Sequence, residues 1–332
     1  MTDTQLVKDI GERGLLARLH RFCPADIVGD DGAILTSDPN KSLVVTTDVL
    51  VDEVHFSDRT TSAYDVGWRA VAANLSDLAA MGATPIGITV GLSLPPDKPV
   101  AWVEQLYQGM DTCLNIYPTP LVGGDICRST VTSIAITALG EVHLKRAIRR
   151  STARPGDAIV ITGLHGLSRA GLALLLDPSL GSSVTTDVRE RLIQAHQRPV
   201  PRLDVLNYLA EIPSEIAIAG MDSSDGLADA VWQICHRSNV GATIDRSCLE
   251  IFSGSIDLVG LQTAWEWLLY GGEDFELVLC LPLGLAKGLV GKLKGNAAII
   301  GEITSHQEIK IVTNDTFKTE EILNISKGFG HF

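Results

Sequence analysis

The sequence predicts an α/β protein built as α+β layers in two domains. Three observations carry that reading. Strand-like and helix-like segments alternate along the chain, 332 residues exceed one average domain, and 45% apolar against 20% charged residues can fill two cores. No repeat of solenoid period interrupts the alternation.

The elements follow in order. Leu6, Ile10, Leu15, Leu16 and Leu19 stand at near-helical spacing, weakened by Gly11 and Gly14. After the turn-rich VGDDGA, the run SLVVTTDVLVDEVHF reads as a strand through Thr46 with an extended or looped stretch behind it, leaving Asp48 at the strand's end. Ser62 to Met81 is a helix. Ser62 and Asp65 have capping-box spacing, Val66, Ala70, Leu75 and Leu78 follow, and Gly82 suits the position after the last turn. PIGITVGLSL is a strand, Pro99 to Tyr117 a helix, and TPLVGGDI and VTSIAITALGEV two more strands, before the turn Arg154-Pro155-Gly156-Asp157. The second half restarts with strand DAIVITG and helix LSRAGLALLL. It continues through ERLIQAHQ, EIAIAGMD, GLADAVWQICHRS, GATIDR and FELVLCLP to a final helix and strand between Leu283 and Ile303. The domain boundary is expected near residue 150.

Composition narrows the function. A formal charge of −13 repels a phosphate backbone. The densest basic stretch, Lys145 to Arg150, is too short for a nucleic-acid track but long enough to hold one nucleotide phosphate. The six cysteines are scattered singly without a C-x-x-C pair, which argues against zinc and dithiol motifs and for buried reduced thiols. The N-terminus alternates charges with leucines, and no apolar run is long enough to cross a bilayer. The expectation is a soluble, cytoplasmic protein with no membrane or nucleic-acid partner.

The informative residues are aspartates: Asp30 and Asp31 in VGDD, Asp48 in TTD, Asp77 in NLSD, Asp125 in GGD, and Asp222 and Asp225 in DSSDG. They stand at expected strand ends and turns inside apolar sequence, where neighbouring carboxylates repel by roughly 4 kcal/mol at 4 Å in an effective dielectric of 20. Asp77 also faces the negative end of its helix. A turn or capping role explains any one of them, but the set points to a cation. Hard oxygen donors without a His or Cys set favour Mg²⁺, which arrives with nucleotide phosphates. Gly123-Gly124-Asp125 after a strand lets backbone N–H groups approach an anion, and Ser223-Ser224-Asp225-Gly226 opens a helix at its positive end. No P-loop, G-x-G-x-x-G, H-R-D or D-F-G motif is present, so a kinase here needs another scaffold. Ser168 misses G-x-S-x-G spacing and takes no catalytic role. His55 fits either a substrate contact or a structural histidine, and Gly271-Gly272-Glu273-Asp274 offers a second carboxylate pair or a plain turn. Trp265 and Trp267 read as core.

Ten blocks, VGDDGA, TTDVLVDEVHF, NLSDLAAMGATP, LVGGD, RRSTARPGD, TGLHGLSRAGL, QRPVPR, DSSDGL, GGEDFEL and GFGHF, stand in the order and spacing of the thiamine-monophosphate kinases, and the chain resembles that family over nearly its whole length. The resemblance implies the two-domain ATP-binding fold of the aminoimidazole ribonucleotide synthetase-like superfamily. It implies an N-terminal ATP- and Mg-binding domain over 1–150, pairing through its sheet in a homodimer, and a C-terminal domain over 151–332 that completes the active site. By the same resemblance, Asp31, Thr46, Thr47, Asp48, Asp77, Asp125, Asp222 and Asp225 hold several Mg²⁺ ions, and Tyr107, Gly124, Asp125, Arg150 and Ser224 contact ATP. His55, Glu273 and Phe329 contact thiamine monophosphate, and Arg150 and Asp225 are catalytic. Ser223 stands where the family often has an aliphatic residue, and Phe329 is one of several aromatics found at its position; neither change removes a ligand.

The implied reaction is ATP-dependent phosphorylation of thiamine monophosphate to thiamine diphosphate by direct, magnesium-assisted transfer. Competing readings are another ATP-using member of the superfamily and a non-catalytic nucleotide or thiamine-phosphate binding module. Cys23 precedes Pro24 without the glycine-rich loop that a selenophosphate synthetase needs, and the chain closes on His331-Phe332 where the hydrogenase-maturation relatives close on cysteine. Retention of the whole acidic set favours the kinase over the binding module.

Overall fold

The computed structural model describes residues 5–24, 27, 31–293, 296–313, 319–324 and 327–328. Contacts divide the chain into a first unit, Met1–Leu78 with Thr84–Glu141, and a second, Ala79–Ala83 with Val142–Phe332. The elements of the first part of the chain are α1 (Val7–Leu19), β1 (Ser42–Val51), α2 (Ala63–Ala80), β2 (Thr84–Leu94), α3 (Val100–Ile116), β3 (Leu121–Arg128) and β4 (Ser133–Val142).

Gly11 takes φ 63° and breaks α1, whereas Gly14 stays helical, so one of the two glycines interrupts the helical spacing. Ser62 caps α2 by accepting from the Asp65 N–H at 3.2 Å while its hydroxyl donates to the Asp65 carboxylate, and Gly82, at φ 72°, follows the last turn. The strands form one sheet in the order β1-β4-β2-β3, antiparallel between β2 and β4 and parallel between β2 and β3. Ile88, Val90, Leu92, Ile134 and Ile136 carry the buried face, with Val66, Ala70 and Leu75 of α2 and Val103 and Leu106 of α3. The two helices approach at backbone level: a Cβ at Gly67 would lie 1.9 Å from the Leu106 carbonyl oxygen, and one at Gly109 1.8 Å from that of Tyr64.

Two strands differ from expectation. β1 runs on to Val51, because alternation persists beyond Thr46: Leu43, Val45, Thr47 and Val49 face outward while Thr46, Asp48 and Leu50 face inward. Asp48 is therefore inside the strand. Likewise Gly123, Gly124 and Asp125 lie within β3, an edge strand, rather than after it.

The second unit contains β5 (Asp157–Ile161), α4 (Leu167–Leu176), α5 (Thr186–Gln197), α6 (Val205–Leu209), β6 (Ala219–Asp222), α7 (Leu227–Ser238), β7 (Gly241–Asp245), α8 (Ser253–Val259), α9 (Leu261–Tyr270), β8 (Leu277–Pro282), α10 (Leu283–Lys292), β9 (Ala298–Thr304), β10 (Ile309–Thr313) and β11 (Thr319–Ile322). Its sheet has the order β11-β10-β7-β9-β5-β8-β6. The continuous apolar run of β5 follows from burial on both faces. Ile159 and Ile161 join one cluster with α7 and α9, and Ala158 and Val160 join another with α6 and α10. Trp265 is in the core, whereas Trp267 is only partly buried beneath Arg169. All six cysteines are free. Cys113, Cys235 and Cys280 are buried as expected, but Cys127 and Cys248 are exposed and Cys23 is half-buried. Among the described residues no helix is long and apolar enough to cross a membrane.

Candidate active site

In the first unit, the alternation of β1 turns Thr46 and Asp48 toward α2. The Thr46 hydroxyl donates to the Asp77 carboxylate in the last turn of that helix. The Asp48 backbone N–H donates to Asn74 Oδ1 at 3.1 Å, and the buried Asn74 amide is held by the Ala70 carbonyl at 2.9 Å. Asn74, given no role from the sequence, thus ties Asp48 to the turn preceding Asp77. Its signal was its place three residues before Asp77 on a helix, where both reach the same strand.

Thr47 and Asp125 occupy the other face of the sheet. Thr47 Oγ1 meets Thr137 Oγ1 at 2.9 Å, and the register Thr137–Thr89–Gly123 carries that face to Asp125 on β3, opposite Gly91. Gly124 is required by pairing, since a Cβ there would lie 2.2 Å from the Val90 carbonyl oxygen. Asp31 is exposed ahead of β1. His55 folds back so that its Nδ1 accepts from the Val51 N–H at 3.0 Å, which in the neutral ring places the proton on Nε2. Tyr107 is interior, its ring 5.8 Å from that of Phe22, and burial raises its hydroxyl pKa.

In the second unit, β6 ends at Asp222 and the chain turns through Ser223, Ser224 and Asp225. The Ser224 hydroxyl donates to Asp222 Oδ1 at 3.1 Å. The N-cap of α7 is Gly226, at φ 104°, which has no side chain to cap the helix; among the described residues the Ser223 hydroxyl is buried without a partner. Ser-Ser-Asp therefore stands just ahead of the cap position, which glycine occupies. A helix start is suited to an anion.

The GGEDFE turn lies against this loop. Glu273 N–H donates to the Ser224 carbonyl at 2.7 Å, and Ser223 N–H donates to that of Glu276 at 2.8 Å. Glu273 and Phe275 both hold left-handed φ, 68° and 53°, a strain of about 1–3 kcal/mol each. The expected carboxylate pair is split. Glu273 keeps a third of its side chain exposed, while Asp274 is turned inward to accept from Gly166 N–H at 2.6 Å and Ser168 N–H at 2.8 Å at the start of α4. Burial pushes the Asp274 carboxyl up to about 7 against the pull of those N–H groups. Glu276 is also raised by burial, and Arg202 opposes the rise. Arg150 is exposed, its Nη1 donating to Gln233 Oε1 at 2.7 Å, with Gln233 in turn donating to Asp229 at 2.6 Å. Phe329, like Asp30, lies outside the described residues.

No group of three or more His, Cys, Asp or Glu side chains among the described residues is gathered to hold a metal unaided. The donors fit magnesium nonetheless. They are hard oxygens, Thr46 and Asp77 already share a contact, and Mg²⁺ takes only one or two carboxylates when phosphates and water complete its shell.

The family described as AIR synthase related protein, N-terminal domain, matches residues 29–142, and AIR synthase related protein, C-terminal domain, matches residues 154–314. A curated thiamine-monophosphate kinase of Synechococcus elongatus is 50% identical over 335 residues, covering 100% of this chain and 99% of its own. The crystal structure of thiamine-monophosphate kinase from Stenotrophomonas maltophilia K279a is 34% identical with a TM-score of 0.77, covering 90% of this chain and 94% of that one. AaThiL complexed with AMPPCP and TMP is 31% identical with a TM-score of 0.75 and full coverage of both chains, 100% each.

Proposed function

The chain belongs to the thiamine-monophosphate kinase family, and from that premise we propose that it transfers the γ-phosphoryl group of ATP to thiamine monophosphate, giving thiamine diphosphate and ADP. The observation in the structure that carries this reading is the 2.7 Å bond from Glu273 N–H to the Ser224 carbonyl. It fastens the turn proposed for the acceptor to the loop proposed for the nucleotide.

Both reacting groups are phosphates. An oxygen of the acceptor phosphate attacks the γ-phosphorus, the bond to the β–γ bridging oxygen breaks, and ADP leaves with that oxygen. A phosphate monoester has its second pKa near 6, so the attacking oxygen is already largely ionised at pH 7 and no general base is needed. Catalysis reduces to positioning and charge compensation, which suits a site rich in aspartate and poor in nucleophiles.

Ser224, at the loop that opens α7, would contact ATP, its helix start suiting a phosphate; Gly124, Asp125 and Tyr107 are the ATP contacts proposed in the first unit. Arg150 would set its guanidinium on phosphate charge, steered by the Gln233–Asp229 pair. His55, with its proton on Nε2, and Glu273 would bind thiamine monophosphate, with Phe329 stacking on a ring of it. Asp31, Thr46, Thr47, Asp48, Asp77 and Asp125 in the first unit, and Asp222 and the catalytic Asp225 in the second, are the residues that would hold Mg²⁺. When bound, the metal supplies charge neutralisation for the phosphates. The outward row of β1, with Leu43, Val45 and Val49 exposed, supports the family's pairing of two copies through this sheet. A cytoplasmic location completes the proposal.

Incubation with thiamine monophosphate and ATP labelled on its γ-phosphorus tests the transfer. Label is expected on thiamine diphosphate with none on protein. A trapped phosphoprotein contradicts direct transfer, and label released only as inorganic phosphate contradicts the kinase.

A further inference from the structure

Three sequence blocks without an assigned role meet behind Glu273. Gly171 on α4 lets α5 approach at backbone level, since a Cβ there would lie 2.0 Å from the Leu192 carbonyl oxygen and 3.1 Å from the His196 Cβ. That approach lays His196, in the last turn of α5 and 2% exposed, over Ser168 in the first turn of α4. Ser168 Oγ lies 3.1 Å from His196 Nδ1, and the same nitrogen lies 3.6 Å from Glu273 Oε2, within ion-pair range. The Ser168 backbone N–H meanwhile holds Asp274, the neighbour of Glu273.

The segment that follows grips the other end of the turn. Arg202 donates to Glu276, and to the Thr162 carbonyl at 2.5 Å; Thr162 Oγ1 donates to Glu276 as well. His196 and Arg202 are six residues apart in HQRPVPR, and they contact carboxylates three residues apart in GGEDFE. A turn with two left-handed residues keeps its shape only when its surroundings over-determine it.

Resting on the assignment of Glu273 to the acceptor, we propose that His196, backed by Ser168, is the positioning residue for the Glu273 carboxylate and so sets affinity for thiamine monophosphate. The outer carboxylate is the part of the turn that meets substrate, and its rotamer is fixed by the imidazole behind it. The backbone of the turn is fixed separately, by Asp274 and by Glu276 with Arg202. Loss of His196 should therefore free the carboxylate and leave the turn, and the nucleotide loop bonded to it, in place.

Steady-state kinetics of the full chain, varying each substrate with the other saturating, test this. His196→Ala is expected to raise KM for thiamine monophosphate about tenfold while KM for ATP stays within about twofold. His196→Asn, which keeps an amide N–H near the Nδ1 position, should recover most of the loss, and Ser168→Ala should show a smaller shift of the same sign. In a Glu273→Gln background, His196→Ala should change KM for thiamine monophosphate little further. If Glu273→Gln weakens acceptor binding but His196→Ala does not, the positioning role is overturned while the acceptor assignment stands. If Glu273→Gln itself leaves acceptor binding unchanged, both fall. Equal losses for both substrates, unrescued by His196→Asn, would reduce His196 to core packing and overturn the proposal.

Discussion

At the residue scale, the aspartates differ in their surroundings. Asp77 sits at the negative end of α2 and accepts from the Thr46 hydroxyl, a place where a cation would offset the unfavourable helix end. Asp77→Asn retains the Thr46 hydrogen bond but loses the charge. We expect turnover to fall about 100-fold with little change in thermal midpoint, and Asp48→Asn to behave alike. Near-normal turnover of either variant, measured at saturating Mg²⁺, would remove that residue from the metal site. His165 gives a test of stability instead. It is fully buried, and burial lowers its pKa from 6.5 to about 4. The unfolded chain therefore binds a proton between those values that the folded chain refuses, so stability is complete above pH 6.5 and is lost as pH falls toward 4, by on the order of 3 kcal/mol. Urea midpoints across this window should fall less steeply for His165→Phe than for the parent chain. Parallel curves would show that the histidine titrates alike in the folded and unfolded chain.

At the element scale, periodicity was legible and context was not. Helix α2 could be bounded from Ser62, Asp65 and Gly82 alone, because caps and stops are local chemistry. The end of β1 could not, since its alternation passes through Asp48 and only pairing within a sheet holds a carboxylate in mid-strand. Asp274 shows the same limit. GGEDFE reads as two neighbouring carboxylates, and nothing local says that one will turn inward to the start of α4, 106 residues away at Ser168. Glycines were legible as turns but not as helix crossings. Gly67 and Gly109 sit inside α2 and α3, where propensity disfavours them, because only hydrogen fits between the two backbones. Gly109→Ala should destabilise the chain by about 3 kcal/mol, read as a lowered denaturant midpoint. An unchanged midpoint would show that the helices can slide apart freely.

At the scale of the whole molecule, the acidic sites fall on both units, each built on its own sheet. The net charge of −13 told against a phosphate backbone as partner but not where the aspartates would fall. The outward apolar row on β1 bears on assembly. If two copies pair through this sheet as proposed, Val45→Lys, which places a charge in the middle of that row, should shift the chain from dimer to monomer by light scattering. A parent chain that is already monomeric would assign the row to another contact.

Phosphorylation of thiamine monophosphate at the expense of ATP is read from its two products. The purified chain should be supplied with ATP, Mg²⁺ and thiamine monophosphate, and ADP and thiamine diphosphate quantified together. Equimolar products are expected, lost when metal is withheld and in Asp48→Asn. ADP without thiamine diphosphate, or no turnover from a chain that still binds ATP with Mg²⁺, would contradict it.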